Sequence, residues 1–295
     1  MQANSDSNED SGFLQAREEF VQQAVCAASA SASRLSLHVL ASGSTGNASL
    51  VGCNGRYVLI DCGICKRDLL QRMDAVGVDP SSIEAVLITH EHTDHTKGLG
   101  VAMRGFAKQD LHPDIFASVL TRDASSDIRA VQDLCDMRSM RADDALSVAG
   151  MQVRVFPTSH DAAESFGFRF DTDGDSLGFM TDTGIVTPQA HDALFGCRIL
   201  AIESNHDTAI LASGDYPEFL KSRIAGDRGH LSNDQSAVEL ERLLDDRLEE
   251  VVAMHISQNN NTFGLPPRVL AQVLERNDFE ARVQAGLPRT PISVQ

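Results

Sequence analysis

The feature that most constrains this chain is the segment HEHTDH at residues 90–95, which lies just beyond a short apolar run. An apolar run bounded by polar residues predicts a buried strand. In an extended segment His90 and His92 point to the same side, whereas Asp94 and His95 follow the strand end and can turn toward a second point. The segment therefore suits two metal ions about 3.5–4 Å apart, and its imidazole and carboxylate donors favour zinc, manganese or iron.

Four more candidate side chains, His160, Asp182, His230 and His255, each follow an apolar stretch of the sequence. Taken singly, each is weak, because a lone histidine after a strand is more often structural and an aspartate before Thr-Gly commonly belongs to a turn. Together with residues 90–95 they supply enough donors for a two-metal centre. Strand ends also hold ligands more rigidly than long loops do.

The formal net charge of -17 does not favour a nucleic-acid-binding protein, since phosphate binding relies on Lys and Arg. Two divalent cations would add four positive charges, and binding depends on a local patch. No apolar run is long enough to cross a membrane. The six cysteines show no paired spacing, which favours reduced thiols and a cytoplasmic protein.

The pattern predicts a polar, disordered tail at 1–33 and one catalytic domain at 34–295. Strands come in runs with helices between and after them, which favours sheets sandwiched by helices. Strands are predicted at 35–40, 48–53, 57–61, 85–88, 115–118, 153–157, 165–171, 176–181, 199–203 and 251–256. Helices are predicted at 64–76, 127–137, 233–248 and 266–276.

The pattern HxHxDH resembles the signature of the metallo-β-lactamase superfamily. Narrower likenesses to its YycJ/WalJ-like group lie in SGS at 42–44, SHD at 159–161, ESNHD at 203–207 and GHLSN at 229–233. The resemblance covers roughly residues 36–262. It implies an α/β fold of four layers, the αββα sandwich, with two divalent metal ions, Zn²⁺ or Mn²⁺, per chain.

The same resemblance implies a set of seven metal ligands. One ion is held by His90, His92 and His160, the other by Asp94, His95 and His255, and Asp182 bridges the two. Such a set leaves positions for a bridging hydroxide and for substrate.

The catalytic candidates are His230, Glu203 and Asp94, the last also a ligand. His230 is expected to hydrogen-bond the phosphate or to protonate the leaving alkoxide, and Glu203 to orient His230. A basic cluster near His230 has two interpretations that remain open at this point, contact with flanking phosphates or a solvated helix face. The candidates for phosphate contact are Lys221, Arg223, Arg228 and Asn205.

The expected activity is hydrolysis of a phosphodiester by a hydroxide that bridges the metal ions. The resemblance implies a bacterial 5′-to-3′ exonuclease acting on DNA. Alternatives are a small cyclic phosphodiester, a lactone, thioester or β-lactam on the same site, and a metal-bound scaffold without activity. The sequence leaves the physiological metal, polarity, strandedness, DNA over RNA, and oligomeric state open.

Overall fold

A computed structural model of the chain describes residues 34–295, so the tail predicted at 1–33 lies outside the described residues. The strands are β1 (Ser36–Ala41), β2 (Ala48–Cys53), β3 (Arg56–Ile60), β4 (Ile83–Leu87), β5 (Asp114–Ala117), β6 (Met137–Ser139), β7 (Ala145–Val148), β8 (Met151–Pro157), β9 (Phe166–Thr172), β10 (Asp175–Met180), β11 (Ile199–Glu203), β12 (Glu250–Met254), β13 (Arg282–Ala285) and β14 (Ile292–Val294). The α-helices are α1 (Lys66–Ala75), α2 (Thr93–Thr96), α3 (Leu99–Ala107), α4 (Val119–Ala124), α5 (Ser126–Arg129), α6 (Pro188–Leu194), α7 (Thr208–Ser213), α8 (Glu218–Ile224), α9 (Asn233–Arg242) and α10 (Leu265–Arg276).

The strands form two seven-stranded sheets of the same plan. The first has the order β14-β1-β2-β3-β4-β5-β6 and the second the order β13-β12-β11-β10-β9-β8-β7. Each sheet has three antiparallel pairings on one side, which join β14, β1, β2 and β3 in the first sheet and β7, β8, β9 and β10 in the second. Parallel pairings continue each sheet, from β3 to β6 and from β10 to β13. Because parallel strands end at one edge, the loops after β3 and β4 meet on one sheet and those after β10, β11 and β12 meet on the other.

The predicted hairpin turn at Asn54-Gly55 joins β2 to β3. Both residues have positive φ, 53° and 74°, as a two-residue turn of type I′ requires. The turn sets Ser49 opposite Ile60 and Val51 opposite Val58. This register brings the end of β3, and the residue that follows it, to the edge at which β4 also ends.

The main apolar core lies between the sheets and joins side chains of both, among them Leu37, Val58, Phe168 and Leu177. A second cluster packs α1 and α3 onto the outer face of the first sheet. A third packs α6, α9 and α10 onto the outer face of the second sheet. The four layers, helix, sheet, sheet and helix, confirm the predicted αββα sandwich.

Two predicted helices differ from the structure. The helix predicted at 127–137 is only the single turn α5, and Met137 instead pairs with Ile115 as the first residue of β6. Val131 and Leu134 still reach the second apolar cluster from a turn, so burial alone explains their spacing. The helix predicted at 233–248 ends at Arg242. None of the described helices has the length and apolar character that a membrane crossing needs.

Candidate metal centre

The segment after β4 is held by the first sheet. His90 is fully buried, and His92 immediately precedes the one-turn helix α2, which carries Asp94 and His95. The turn of α2 swings these two side chains away from the line of the strand. The first sheet thus presents four candidate ligands within six residues.

Asp61, the residue after β3, holds this segment in place. Its carboxylate accepts hydrogen bonds from His95 Nδ1 at 2.7 Å and from the backbone N and Oγ1 of Thr89, each at 2.8 Å. Oγ1 of Thr89 in turn lies 2.9 Å from Nδ1 of His90. Two imidazoles are therefore oriented by one buried acid. Asp61 was not among the predicted site residues, although it follows an apolar strand as the others do.

The loop that begins at Asp61 lies directly against the turn that carries Asp94. A Cβ on Gly63 would lie 1.6 Å from the carbonyl oxygen of Asp94, so only glycine permits this approach. Asn47 donates its backbone N–H to the same carbonyl at 2.8 Å, and its Nδ2 lies 2.9 Å from Nε2 of His95. These contacts fix the direction of α2.

The second sheet contributes its candidates singly, one from each of four strand ends. His160 follows β8, Asp182 follows β10, Glu203 is the last residue of β11, and His255 follows β12. Asp182 and His255 have positive φ, 56° and 52°, and so does Asp61 at 58°. Non-glycine residues seldom adopt this conformation, and such strain concentrates at functional sites.

Glu203 is fully buried and connects two histidines of this half. Its Oε1 accepts hydrogen bonds from Nδ1 of His230 at 2.8 Å and from Nδ1 of His255 at 3.0 Å. Its Oε2 accepts from the backbone N–H groups of Thr183 at 2.8 Å and of Leu231 at 3.3 Å. Burial opposes ionisation, but His230 and His255 outweigh it and hold the pKa of Glu203 well below its usual range. The contact with His230 was predicted, whereas the contact with His255 was not.

The candidate ligands of both sheets converge. Ligand atoms of His90, His92 and His160 all lie within 4.8 Å of one another, as do those of Asp94, His95 and His255. Asp182 lies between the two triads, with Oδ2 3.4 Å from Nε2 of His95 and Oδ1 3.8 Å from Nε2 of His160. The seven predicted ligands therefore lie together in one site. The same distances also group His90 with His95 and Asp182, and Asp182 with Glu203, His230 and His255, so the division into two triads stays a prediction.

The donor atoms fit two divalent cations. Nε2 of His90 and Nε2 of His255 are buried and have no hydrogen-bond partner within the described residues. An unsatisfied buried polar atom is costly, and a cation bound at each of these nitrogens would remove that cost. Metal-binding histidines usually donate their other ring N–H to a carboxylate or carbonyl. His95 and His255 do so to Asp61 and Glu203, and His160 to the carbonyl of Gly229 at 3.1 Å.

The carboxylates of the site also create an electrostatic environment that stabilises positive charge. Burial and the neighbours His95 and His160 hold the pKa of His90 well below its usual range, so its imidazole is neutral and free to act as a ligand. Burial would lower the pKa of His95 as well, but Asp182 and Asp61 outweigh it and raise that pKa to about 9. The carboxylates thus retain a proton on His95 in the metal-free protein, at a position where a cation would replace it.

A cavity opens above the two triads. Its lining includes His230, whose side chain is 20% exposed, and five of the candidate ligands, His92, Asp94, His160, Asp182 and His255. The remaining lining residues are Ser44, Asp161, Asn205, Tyr216, Leu220, Arg223, Ile224, Gly229, Ser257 and Asn260.

The predicted phosphate contacts are placed differently from one another. Arg223 and Asn205 line the cavity, with Arg223 in an ion pair with Asp161. Lys221 is turned away, and its Nζ donates to the carbonyl of Ala212 at 2.8 Å and to Glu218 at 3.2 Å.

Arg228 also lies outside the cavity lining, and its guanidinium donates to the carbonyl of His160 at 2.8 and 3.0 Å. These contacts support a structural role for Arg228 in holding the loop that carries His160. Nearness to His230 in the sequence therefore did not indicate which basic residues face the cavity.

Comparisons with known proteins agree with this geometry. The family model described as "Beta-lactamase superfamily domain" matches residues 56–256. The exodeoxyribonuclease YycJ of Bacillus anthracis is 32% identical over 265 residues, which cover 88% of this chain and 98% of that protein. The exodeoxyribonuclease WalJ of Streptococcus pneumoniae is 31% identical over 82% of this chain and 88% of that protein.

Among solved structures, the metallo-β-lactamase fold protein YhfI from Bacillus subtilis aligns with a TM-score of 0.63 at 15% identity, over 88% of this chain and 99% of YhfI. The short form of human tRNase Z aligns with a TM-score of 0.62 at 17% identity, over 88% and 99% of the two chains. These alignments establish the fold. The chain therefore belongs to the beta-lactamase superfamily, in the family of the YycJ and WalJ proteins, and is a metal-dependent hydrolase by that membership.

Proposed function

We propose that this protein hydrolyses phosphodiesters with two divalent metal ions, Zn²⁺ or Mn²⁺, and that its substrate is DNA, degraded from the 5′ end. The observation that carries the proposal is His230, which lies beside the two ligand triads and faces the same cavity. A histidine that is not needed as a ligand, yet is held by a buried acid at the reaction site, suits a general acid.

The cations would be held by the two triads and Asp182, and when bound they supply activated water and neutralise charge on the phosphate. Glu203 accepts the Nδ1 proton of His230, which leaves Nε2 as the nitrogen that faces substrate. From there His230 donates a proton to the leaving oxygen. Glu203 also positions His255, so one carboxylate sets the distance between the proton donor and the ligands.

Relatives support a nucleic-acid substrate. YycJ of Bacillus anthracis and WalJ of Streptococcus pneumoniae are named exodeoxyribonucleases and align over most of this chain. Ribonuclease Z of Mycobacterium marinum is 32% identical over 161 residues, 47% of this chain. DNA is favoured over RNA because the exodeoxyribonuclease matches span 82–88% of this chain, whereas the ribonuclease match spans 47%.

Incubation of the metal-loaded protein with duplex DNA labelled at one end or the other tests the proposal. Loss of nucleotides from the 5′ end in a ladder is expected, together with turnover of bis(p-nitrophenyl) phosphate. His230→Ala should retain both metal ions and slow both reactions roughly 10²- to 10⁴-fold, the range of general acid catalysis.

The exposed His112 provides the matched control, since it lies just before β5 and does not line the cavity. His112→Ala should leave both rates unchanged. Hydrolysis of a lactone or cephalosporin without any diester cleavage would overturn the proposal, as would an unchanged rate in the His230 variant.

A further inference from the structure

Helix α8 presents apolar side chains to the cavity instead of to a protein core. Tyr216 lies just before the helix, and Leu220 and Ile224 follow at a spacing of four, so all three face the same way and line the cavity. No residue of α8 is fully buried. Within the described chain, none of the three belongs to an apolar cluster of the fold. This stripe therefore lies outside the apolar clusters described for the fold.

The cavity lining also includes polar side chains. It carries Asn205, Ser257 and Asn260, and Asn205 is fixed by donation of Nδ2 to the carbonyl of His255 at 2.7 Å. The ring of Tyr216 is also fixed, because its hydroxyl accepts a hydrogen bond from Nδ2 of Asn259 at 2.6 Å. The cavity lining thus combines an aromatic ring with aliphatic side chains, hydrogen-bonding groups and candidate metal ligands.

Arg223 supplies a cation at the rim of the same helix. It is paired with Asp161, whose Oδ1 lies 3.4 Å from Nε2 of His160, so the guanidinium is held near a candidate metal ligand. An arginine in this position suits a phosphate oxygen next to the reacting group. The combination of ring, hydrogen-bonding groups and cation matches the parts of a nucleotide.

We propose that Tyr216, Leu220 and Ile224 form a subsite for the nucleoside joined to the reacting phosphate, with the base stacked on the Tyr216 ring. The proposal rests on the proposed function, because it names what the phosphodiester carries. An acyl chain is a poorer occupant, since it would cover the polar side chains of Asn205, Ser257 and Asn260 with apolar groups that cannot hydrogen-bond. The polar edge of a base and the hydroxyl of a sugar can hydrogen-bond to these side chains.

The backbone of the subsite directly contacts the backbone next to the proposed proton donor, His230. The backbone N–H of His230 donates to the carbonyl of Ile224 at 2.9 Å. A Cβ on Gly229 would lie 2.2 Å from the carbonyl oxygens of both Arg223 and Ile224, so only glycine allows this closeness. A nucleoside seated against Ile224 therefore lies at a set distance from the ring of His230.

Two small diesters with one leaving group test the subsite. They are thymidine 5′-(p-nitrophenyl phosphate) and methyl p-nitrophenyl phosphate, and the measured quantity is the ratio of their kcat/KM values. Tyr216→Ala should lower this ratio roughly 5- to 150-fold, the range expected from loss of one base stack. Tyr216→Phe keeps the ring and should restore most of the ratio.

Phe219→Ala is the matched control, because Phe219 lies on the same helix, is 76% exposed and does not line the cavity. It should leave the ratio unchanged. A ratio near one in the unaltered protein, or equal ratios in the Tyr216→Ala and Phe219→Ala variants, would overturn the subsite while leaving phosphodiester hydrolysis intact.

A binding measurement separates the two proposals if neither ester is cleaved. The chain has no tryptophan and two tyrosines, so in a Tyr57→Phe background Tyr216 is the only tyrosine. Thymidine 5′-monophosphate should quench its fluorescence with saturation, and should compete with the DNA end in the cleavage assay. Saturable quenching without turnover would retain the subsite and reject the hydrolase, whereas no quenching would reject the subsite.

Discussion

In each half of the candidate metal centre, one on each sheet, a buried carboxylate orients histidines, but the two carboxylates differ in how many imidazoles they bind. On the first sheet Asp61 binds one imidazole directly, that of His95, and the local segment carries four ligands in a row. On the second sheet Glu203 binds two imidazoles, that of His255, a proposed ligand, and that of His230, the proposed proton donor. Under the proposed function, the first half therefore binds metal only. In the second half, one carboxylate contacts both a metal ligand and the proton donor.

This difference explains the order of effects that we expect from substitutions. A side chain that lies between the two ligand triads should matter most. An acid of the second half should affect metal affinity and the chemical step together, whereas an acid of the first half should affect metal affinity alone.

Asp182→Ala should give the largest loss, because Asp182 is the one carboxylate placed between both triads. Removal of several kcal/mol of charge stabilisation corresponds to a rate decrease of about 10³-fold or more. Metal content by elemental analysis and DNA cleavage by gel assay provide the measurements. Normal metal content together with substantial turnover would refute the bridging position.

Glu203→Gln should be next, because it disturbs His230 and His255 at once. We expect metal affinity to fall about 10- to 100-fold, as for other partners of metal-binding histidines. At saturating metal a further loss in kcat should remain, since His230 is no longer held in one tautomer. Full recovery of kcat with excess metal would show that Glu203 acts through the ligands alone.

Asp61→Asn is the matched variant of the first half. It should also lower metal affinity about 10- to 100-fold, because His95 loses its charged partner. In contrast to the Glu203 variant, its kcat should return to normal at saturating metal. A persistent defect in kcat would remove the distinction between the two halves.

The metal-free protein should lose stability as the pH rises from 6.5 to about 9. Asp182 and Asp61 outweigh burial and raise the pKa of His95 from 6.5 to about 9. The proton on His95 therefore stabilises the folded state fully below pH 6.5, and this stabilisation is lost as the pH rises to about 9. The loss should be on the order of a few kcal/mol. Thermal unfolding with chelator, compared with excess Zn²⁺, measures it. If the Tm measured with chelator did not decrease over this pH range, the stabilising role of the proton on His95 would be contradicted.

The smallest effect concerns the helix that borders the second half. Arg223→Gln should reduce the slope of DNA affinity against salt by about one, as loss of one phosphate contact does. Lys221→Gln should leave that slope unchanged, because the lysine is engaged by Ala212 and Glu218. Filter binding with a catalytically slow variant gives both values. Equal slopes for the two variants would show that Arg223 makes no phosphate contact that Lys221 lacks.

The comparison also shows which parts of the site can be predicted from sequence. Residues 90–95 are predictable because their spacing is local and unlike an ordinary loop. His160, Asp182 and His255 were reachable through their place after apolar strands, but only as a set. The contact of Glu203 with His255 depends on the pairing of β11 with β12, which no local pattern records.

Two other outcomes have similar causes. Asp61 carried the same signal as Asp182, an aspartate directly after an apolar strand, but no adjacent histidine drew attention to it. The helix predicted at 127–137 was wrong because Val131 and Leu134 are buried from a turn and Met137 completes a sheet edge. Most strand positions were predicted, since β-branched and apolar runs bounded by turns are strong local signals.

The left-handed backbone at Asp61, Asp182 and His255 has a consequence for engineering. Each such residue costs the fold about 1–3 kcal/mol, and glycine at the same corner would avoid most of that cost. Glycine at Asp61 or Asp182 would, however, also remove a carboxylate that stabilises the proton on His95 in the metal-free protein. We therefore expect selection for heat resistance, even without an activity screen, to leave these two aspartates unchanged.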